Sequence, residues 1–301
     1  MRPLKFHPIL KQTLWGGERI IPYKELASGI SRVGESWELS GMPGSESVVA
    51  EGPWAGSTLS ELIGRFGAEL LGKANYARFG QEFPLLVKFI DAREDLSIQV
   101  HPDDELARKR HGKSGKCEMW YVLEAEPCAS LLTGFSRPIA PAEYERRVAD
   151  NTLTDVLNRQ AIASGDVFYL PAGRVHSIGK GSFIVEIQQS SDITYRIYDF
   201  DRRDGAGNSR ELHTELAREA IDFESSENSR ITYAPENNQE VRLVTTPYFT
   251  TSLYTLTART RCDWSATDSF VAIVLLQGSG SLTDNEGNRI DVRQGETCLL
   301  P

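Results

Sequence analysis

Hydrophobic and polar residues alternate with a period of two along much of the chain, and this pattern predicts a mainly β protein. Polar turns separate the alternating runs. The predicted strands lie in GESWELS (34–40), FPLLVKFIDA (83–92), LSIQVH (96–101), KCEMWYVLEA (116–125), VFYLPAGRVH (167–176), FIVEIQQSS (183–191), ITYRIYDF (193–200), VRLVTTPYFTTSLYTL (241–256), SFVAIVLLQGSGSLT (269–283) and RIDVRQGETCLLP (289–301).

Four other segments are predicted to be helical, and in 58–79 and 138–161 apolar residues recur three or four positions apart, which is the spacing of a helix. In the first of them, Thr58 is the expected N-cap and Glu61 completes a capping box. The second begins with Pro102 and acidic residues and ends at Gly112. The predicted helical segments are 58–79, 102–112, 138–161 (as one or two helices) and 211–223.

Two segments far apart in the chain resemble each other. IASGDVFYLPAGRVH (162–176) and VRQGETCLLP (292–301) both have a polar turn with Gly and an acidic residue, followed by apolar residues and Leu-Pro. An internal repeat of this kind implies two copies of one β-barrel unit.

The repeat divides the chain into three predicted parts. Residues 1–200 form a first barrel with helical insertions, and residues 201–240 are a polar connecting segment. Residues 241–301 form a second barrel, which we expect to be incomplete because the sequence stops at Pro301 before the equivalent of AGRVH.

Composition and charge indicate a globular protein that does not act mainly on nucleic acids or anionic membranes. The chain has 301 residues, 40% hydrophobic and 25% charged, as in ordinary globular proteins. Its formal net charge of -9 argues against a nucleic acid or an anionic membrane as the main partner, but not against a small anionic substrate. The N-terminus lacks the apolar segment of a signal peptide. We predict a cytoplasmic, soluble protein that is a monomer or a weak homodimer.

The four cysteines, Cys117, Cys128, Cys262 and Cys298, show no paired spacing, so we expect reduced thiols. On an alternating strand, Cys117 points away from the face that carries its neighbour Glu118.

Three of the short strand-like segments carry side chains that can bind a metal. SIQVHPDD (97–104) contains Gln99 and His101, which share a face because they are two residues apart. GKCEMWYVL (115–123) adds Glu118, and LPAGRVHSIG (170–179) adds His176. Imidazole, carboxylate and amide oxygen together suit a divalent ion such as zinc, and the lack of a thiolate is typical of a catalytic site.

These segments also carry a family resemblance. The run G-D-x-x-x-L-P-A-G-x-x-H (165–176) resembles the turn and strand of a cupin barrel. SIQVHPDD, GKCEMWYV, PAGRVHSIG and YRIYDF, in this order, resemble the type I mannose-6-phosphate isomerase family in its short bacterial form. The resemblance extends from LKFHPILKQTLWGG (4–17) to the last residue. It implies a double cupin, with two jelly-roll-like β-barrels and an inserted or flanking helical segment.

The resemblance also implies an activity, a cofactor and a set of residues. The activity is the interconversion of mannose 6-phosphate and fructose 6-phosphate through a cis-enediol. The cofactor is one zinc ion per chain, on Gln99, His101, Glu118 and His176. Catalytic positions fall on Arg196, Lys116 and Glu186, and substrate-binding positions on Lys88, Ser97 and Asp192.

Some points stay open at the level of sequence. Lys88 has support of its own, because a lysine inside an apolar strand is costly unless it faces a cavity or a partner. The general base is Glu186, Asp192, a metal-bound water or an uncommitted histidine. His7, His111 and His213 stand outside the motifs and are interpreted as surface or packing residues.

Two other classes of function compete with the isomerase. One is a different metal-dependent cupin enzyme, acting on another sugar phosphate or using iron as an oxygenase with two histidines and one carboxylate. The other is a non-catalytic sugar-binding cupin. Gln99 beside His101, together with the cationic residues, favours a sugar phosphate.

Overall fold

The computed structural model describes residues 2–224 and 228–301, and it is mainly β, as the alternating pattern predicted. The strands in chain order are β1 (Leu4–Lys5), β2 (Ile9–Gly17), β3 (Val33–Met42), β4 (Ser45–Glu46), β5 (Leu85–Ala92), β6 (Ile98–Val100), β7 (Glu118–Ala125), β8 (Ser130–Phe135), β9 (Leu157–Ala161), β10 (Val167–Leu170), β11 (His176–Ile178), β12 (Ser182–Gln189), β13 (Tyr195–Tyr198), β14 (Arg230–Ile231), β15 (Val241–Thr245), β16 (Thr250–Leu253), β17 (Val271–Val274), β18 (Ser279–Thr283), β19 (Arg289–Arg293) and β20 (Thr297–Leu300). The helices are α1 (Ile20–Tyr23), α2 (Leu59–Phe66), α3 (Ala68–Leu71), α4 (Lys73–Phe79), α5 (Asp104–His111), α6 (Pro141–Ala149) and α7 (Thr214–Ala220), with a 3-10 turn at Leu153–Val156.

Two antiparallel sheets hold most of the strands. The larger sheet has eight strands in the order β14-β10-β7-β12-β5-β2-β3-β4, and the smaller has five in the order β13-β6-β11-β8-β9. No sheet among the described residues closes on itself.

The two sheets pack face to face around one apolar cluster. Ile90, Trp120 and Ile184 of the eight-stranded sheet meet Leu131 and Ile178 of the five-stranded sheet in it. Side chains two residues apart share a face of a strand. The inner faces are therefore those that carry Lys88, Glu118 and Glu186 on the first sheet, and Gln99, His176 and Arg196 on the second.

Helices and the C-terminal strands cover the outer faces. Tyr144 of α6 and Ala217 of α7 pack on the outer face of the five-stranded sheet. Leu62 of α2 packs with Met119 of β7 and Phe270 of the C-terminal segment on the outer face of the eight-stranded sheet. The outer faces of both sheets are therefore covered, and the site lies between the inner faces.

The helix predictions were confirmed in part. Thr58 and Glu61 form the predicted capping box, but positive φ angles at Gly67 (50°) and Gly72 (85°) break the segment 58–79 into three short helices. Helix α5 lies within the predicted 102–112. The helical prediction was wrong for residues 157–161, which form β9 and pair with β8. Their burial alternates, because only one side of this edge strand packs on the protein.

The two resembling segments have the same local structure. Gly165 (φ 90°) precedes β10, and Gly295 (φ 79°) precedes β20. Strand β20 lies between β1 and β17, so the C-terminal strand is hydrogen-bonded to the N-terminal one. Two further hairpins, β15–β16 and β18–β19, complete the C-terminal segment.

All four cysteines are free, and Cys117 packs in the outer cluster, away from Glu118, as predicted. Across residues 2–224 and 228–301, none of the helices has the length and apolar character needed to cross a membrane.

Candidate metal centre

His101, Glu118 and His176 form a buried cluster between the two sheets. Their ligand atoms all lie within 4.8 Å of one another. Glu118 Oε1 is 3.1 Å from His176 Nε2, and Glu118 Oε2 is 3.5 Å from His101 Nε2. Each of the three side chains is at most 2% exposed.

The strand ends place these residues. His176 is the first residue of β11 and lies directly opposite Gln99 on β6. Glu118 is the first residue of β7 on the facing sheet. His101 follows the end of β6, two residues after Gln99, so both side chains reach the cluster.

Main-chain carbonyls orient both imidazoles. His101 Nδ1 lies 2.8 Å from the Ile193 carbonyl oxygen, and His176 Nδ1 lies 2.8 Å from that of Arg174. A carbonyl only accepts, so each Nδ1 carries the proton and each Nε2 presents a lone pair to the cluster. Burial, aided by the charge of Lys116, lowers the pKa of His101 to about 3, which keeps its imidazole neutral.

The cluster contains buried polar atoms that accept no hydrogen bond, although one of them, Glu118 Oε2, lies 2.9 Å from the Lys116 ammonium. His101 Nε2 and both carboxylate oxygens of Glu118 accept no hydrogen bond from the described residues. Buried polar atoms in this condition are costly. A divalent cation would satisfy all three at once, so these residues fit a metal ion.

Gln99 can complete the ligand set. Its Nε2 lies 3.3 Å from His176 Nε2, and its Oε1 lies 3.2 Å from Ser97 Oγ. A half-turn of the terminal amide exchanges its oxygen and nitrogen, which have nearly the same size and shape. That half-turn would bring the amide oxygen of Gln99 to the cluster in place of its nitrogen.

Lys116 sets the charge of the carboxylate. Its Nζ lies 2.9 Å from Glu118 Oε2. Burial alone would raise the pKa of Glu118, but the charge of the Lys116 ammonium holds it well below its usual range. Glu118 is thus anionic, as a metal ligand must be.

A second buried ion pair lies on the same inner face. Lys88 and Glu186 are directly opposite each other on β5 and β12, and their charged atoms are 2.8 Å apart. Trp120 Nε1 donates to Glu186 Oε2 at 2.8 Å, and Glu35 lies 3.7 Å from Lys88. Burial would lower the pKa of Lys88, but the two glutamates raise it overall, so Lys88 is an ammonium.

Arg196 extends the row of residues on the five-stranded sheet. It lies opposite Gln99 on β13, so His176, Gln99 and Arg196 share one face across three strands. Its Nη1 donates to the Glu211 carbonyl oxygen at 3.0 Å, while its buried Nε has no partner among the described residues.

Asp192 stands apart from the other sequence-predicted residues. Its side chain is 52% exposed, and its carboxylate pairs with Lys113 at 2.9 Å. The residues that the structure brings together at or beside the two inner faces are Gln99, His101, Glu118, His176, Lys116, Lys88, Glu186, Ser97 and Arg196.

Three residues near the site carried no functional prediction. Trp120 is fully buried, but it also packs edge-on against His176 and donates a hydrogen bond to Glu186. Glu35 reaches Lys88 only because β3 pairs with β5, which no local pattern reveals. His213 was interpreted as a surface or packing residue; its Nδ1 accepts a hydrogen bond from the Arg196 main chain.

Known proteins resemble this chain over its whole length. The family model for the catalytic domain of type I phosphomannose isomerases matches residues 4–135. A Bacillus subtilis (strain 168) protein named probable mannose-6-phosphate isomerase GmuF is 34% identical over 302 residues, covering 99% of this chain and 93% of the relative. The mannose-6-phosphate isomerase of Streptococcus mutans is 33% identical, covering 99% and 92%. The solved mannose 6-phosphate isomerase from Bacillus subtilis superposes with a TM-score of 0.89 at 30% identity, covering 100% of this chain and 94% of that one.

Proposed function

This chain belongs to the type I phosphomannose isomerase family, and from that premise we propose that it interconverts mannose 6-phosphate and fructose 6-phosphate. One observation carries the proposal beyond family membership. A buried set of three ligand atoms without hydrogen-bond partners lies beside Lys116, the Lys88–Glu186 pair and Arg196. This combination of metal ligands and charged groups can carry out an aldose–ketose isomerisation.

We propose one zinc ion, bound by Gln99, His101, Glu118 and His176. Two buried neutral imidazoles and a buried carboxylate, with the amide oxygen of the half-buried Gln99, suit zinc among the common divalent ions. When bound, the ion would act as a Lewis acid that polarises the sugar's carbonyl and hydroxyl oxygens. The residues of the chain perform the remaining steps.

The reaction moves a proton between two neighbouring carbons. From the aldose, a base removes the proton on C2 while O1 gains a proton, which gives the cis-enediol. The O2 proton then leaves as C1 receives one, and the ketose forms. We assign the base to Glu186, whose carboxylate is fixed by Lys88 and Trp120, and the proton donor at oxygen to the Lys116 ammonium.

We assign to Arg196 the stabilisation of the negative charge that develops on the sugar oxygens during the reaction. Among the described residues, it makes no ion pair with a carboxylate, whereas Lys88 pairs with Glu186 and Glu35, and Lys116 pairs with Glu118. Its guanidinium charge is therefore available to an enediolate. Lys88 and Ser97 lie at the two inner faces and are proposed to contact the substrate. Asp192 is left outside the proposal because it is exposed and paired with Lys113.

We also propose the double-cupin architecture. Residues 1–200 would form the first jelly-roll-like unit, 201–240 the connection and 241–301 a second cupin-like unit. The shared turn and strand at Gly165 and Gly295 support this division. An experimental structure in which β17 to β20 do not superpose on the corresponding strands of the first unit would contradict it.

The function is tested by a coupled assay with mannose 6-phosphate. Activity should disappear on chelation and return with zinc more than with magnesium, and elemental analysis should find one ion per chain. A chain that binds zinc but gives no fructose 6-phosphate, across a panel of sugar phosphates, would exclude the proposal. Sedimentation should show a monomer or a weak homodimer, and fractionation should place the protein in the cytoplasm.

A further inference from the structure

The segment 199–213 turns back over the edge of the five-stranded sheet. Strand β13 is the outermost strand there, with β6 on one side and, within residues 2–224 and 228–301, no strand on the other. Edge strands leave main-chain N–H and C=O groups without strand partners. The returning segment reaches this free edge at Arg196.

Three hydrogen bonds join the segment to Arg196. The Arg196 main-chain N–H donates to His213 Nδ1 at 3.2 Å, and the His213 N–H donates to the Arg196 carbonyl oxygen at 2.7 Å. The guanidinium Nη1 donates to the Glu211 carbonyl oxygen at 3.0 Å. Both the main chain and the side chain of Arg196 are therefore held by residues 211–213.

The start of the same segment is also fixed. Asp199, which is 5% exposed, accepts hydrogen bonds from Arg210 Nε at 2.7 Å and from Arg202 Nη1 at 3.2 Å. Since Arg210 lies directly before Glu211, this ion pair determines where residues 211–213 return to the strand.

The side chain of His213 does not serve the helix that it precedes. It occupies the N-cap position of α7, where Ser, Thr, Asp or Asn usually bonds to the first turn, but it makes no capping hydrogen bond. A main-chain N–H can only donate, so Nδ1 is the acceptor and Nε2 carries the ring proton. The imidazole takes the place that a carbonyl of a neighbouring strand would fill.

We propose that His213 is a positioning residue for Arg196, and that its imidazole fixes the strand edge from which the guanidinium reaches the substrate. The inference rests on the proposed function, because it needs Arg196 to contact the reacting sugar. Reacting groups must be held to within about 1 Å, and small misplacements from outside the reaction centre lower rates strongly. His213 would act on the chemical step through Arg196 alone.

Two substitutions and a control test this role. His213→Leu removes the acceptor and should lower kcat about tenfold, the size of one lost hydrogen bond, with KM changed less than threefold. His213→Asn places an oxygen near the position of Nδ1 and should restore at least half of the lost kcat. The control is His7→Leu, at an exposed histidine near the N-terminus and outside the site. This variant should leave kcat and metal content unchanged. An unchanged kcat in His213→Leu, or a His213→Asn enzyme as slow as His213→Leu, would overturn the proposal.

A double-mutant cycle separates positioning from general loss of structure. With no guanidinium to position, His213→Leu in an Arg196→Ala background should change kcat/KM less than twofold. An undiminished tenfold loss there would show that His213 acts by another route. If the unsubstituted chain lacks isomerase activity, the proposed function fails; if it is active and His213→Leu is equally active, only the positioning role fails.

Discussion

Glu118 Oε1 lies 3.1 Å from His176 Nε2, although the two residues belong to different sheets. Each is the first residue of its strand, so the contact marks the place where the eight-stranded and five-stranded sheets approach each other. The ligand set exists only when the two sheets are packed in this register. Metal binding and the packing of the two sheets are therefore coupled.

Glu118→Gln should abolish both metal binding and turnover. The amide keeps the shape of the side chain but removes the anionic ligand and leaves the buried Lys116 ammonium without its partner. We expect kcat/KM to fall by about a hundredfold or more, with less than one metal ion per ten chains by elemental analysis.

The matched control is Glu124→Gln, at an exposed glutamate further along the same strand. This variant should keep its metal content and its turnover. A Glu118→Gln enzyme with full metal content and full turnover would show that the cluster is not the metal site.

Lys88→Met should destabilise the protein and inactivate it by separable effects. Removing one partner of a buried ion pair costs about 3–5 kcal/mol, because Glu186 is left charged and buried. Adding Glu186→Gln removes that charge while keeping an acceptor for Trp120, so the double variant should regain at least about 1 kcal/mol in urea unfolding.

Turnover should not return in the double variant, since both proposed site residues are lost. Recovery of activity along with stability would mean that the pair supports the fold and takes no part in the reaction.

The local motifs predicted His101, Glu118 and His176, which the structure brings together in one cluster, but they did not predict which residues surround that cluster. Gln99 and His101 lie two residues apart, and His176 follows the run Leu-Pro-Ala-Gly. A short stretch of sequence is therefore enough to recognise these residues. Glu35 meets Lys88, and His213 meets Arg196, only through pairings of segments distant in the chain or through a returning loop. The same reason explains why the helix prediction failed for residues 157–161, which form a strand because they pair with β8. Long-range contacts of this kind leave no periodic signal in the sequence.

Tyr248→Phe should slow the enzyme although Tyr248 lies in the C-terminal segment. Its hydroxyl donates to Asp104 Oδ2 at 2.9 Å, and Asp104 Oδ1 accepts from the Gly115 N–H at 2.9 Å. Asp104 also binds Gln189, whose amide oxygen holds the Cys117 N–H. This network supports the residues that flank Lys116 and Glu118. We expect a loss of about 1 kcal/mol in stability and a two- to fivefold lower kcat.

Tyr233→Phe is the control for that prediction. Tyr233 also donates its hydroxyl to a residue of the first part of the chain, the Gly165 carbonyl oxygen at 2.6 Å, but away from Lys116 and Glu118. It should lower stability by a similar amount and leave kcat unchanged. Equal effects of both variants on kcat would contradict a specific role for the Tyr248 network.

Asp192→Asn should have little effect on catalysis or stability. The family resemblance placed Asp192 among the substrate-binding residues, but its side chain is half exposed and its partner Lys113 is exposed as well. Exposed ion pairs contribute little, so we expect a change within about 0.5 kcal/mol in unfolding and within twofold in kcat/KM. A tenfold rise in KM for mannose 6-phosphate, with unchanged stability, would instead show that Asp192 turns towards the sugar when substrate binds. Comparing Asp192→Asn with Lys113→Met distinguishes the two cases, because a surface ion pair predicts the same small effect for both.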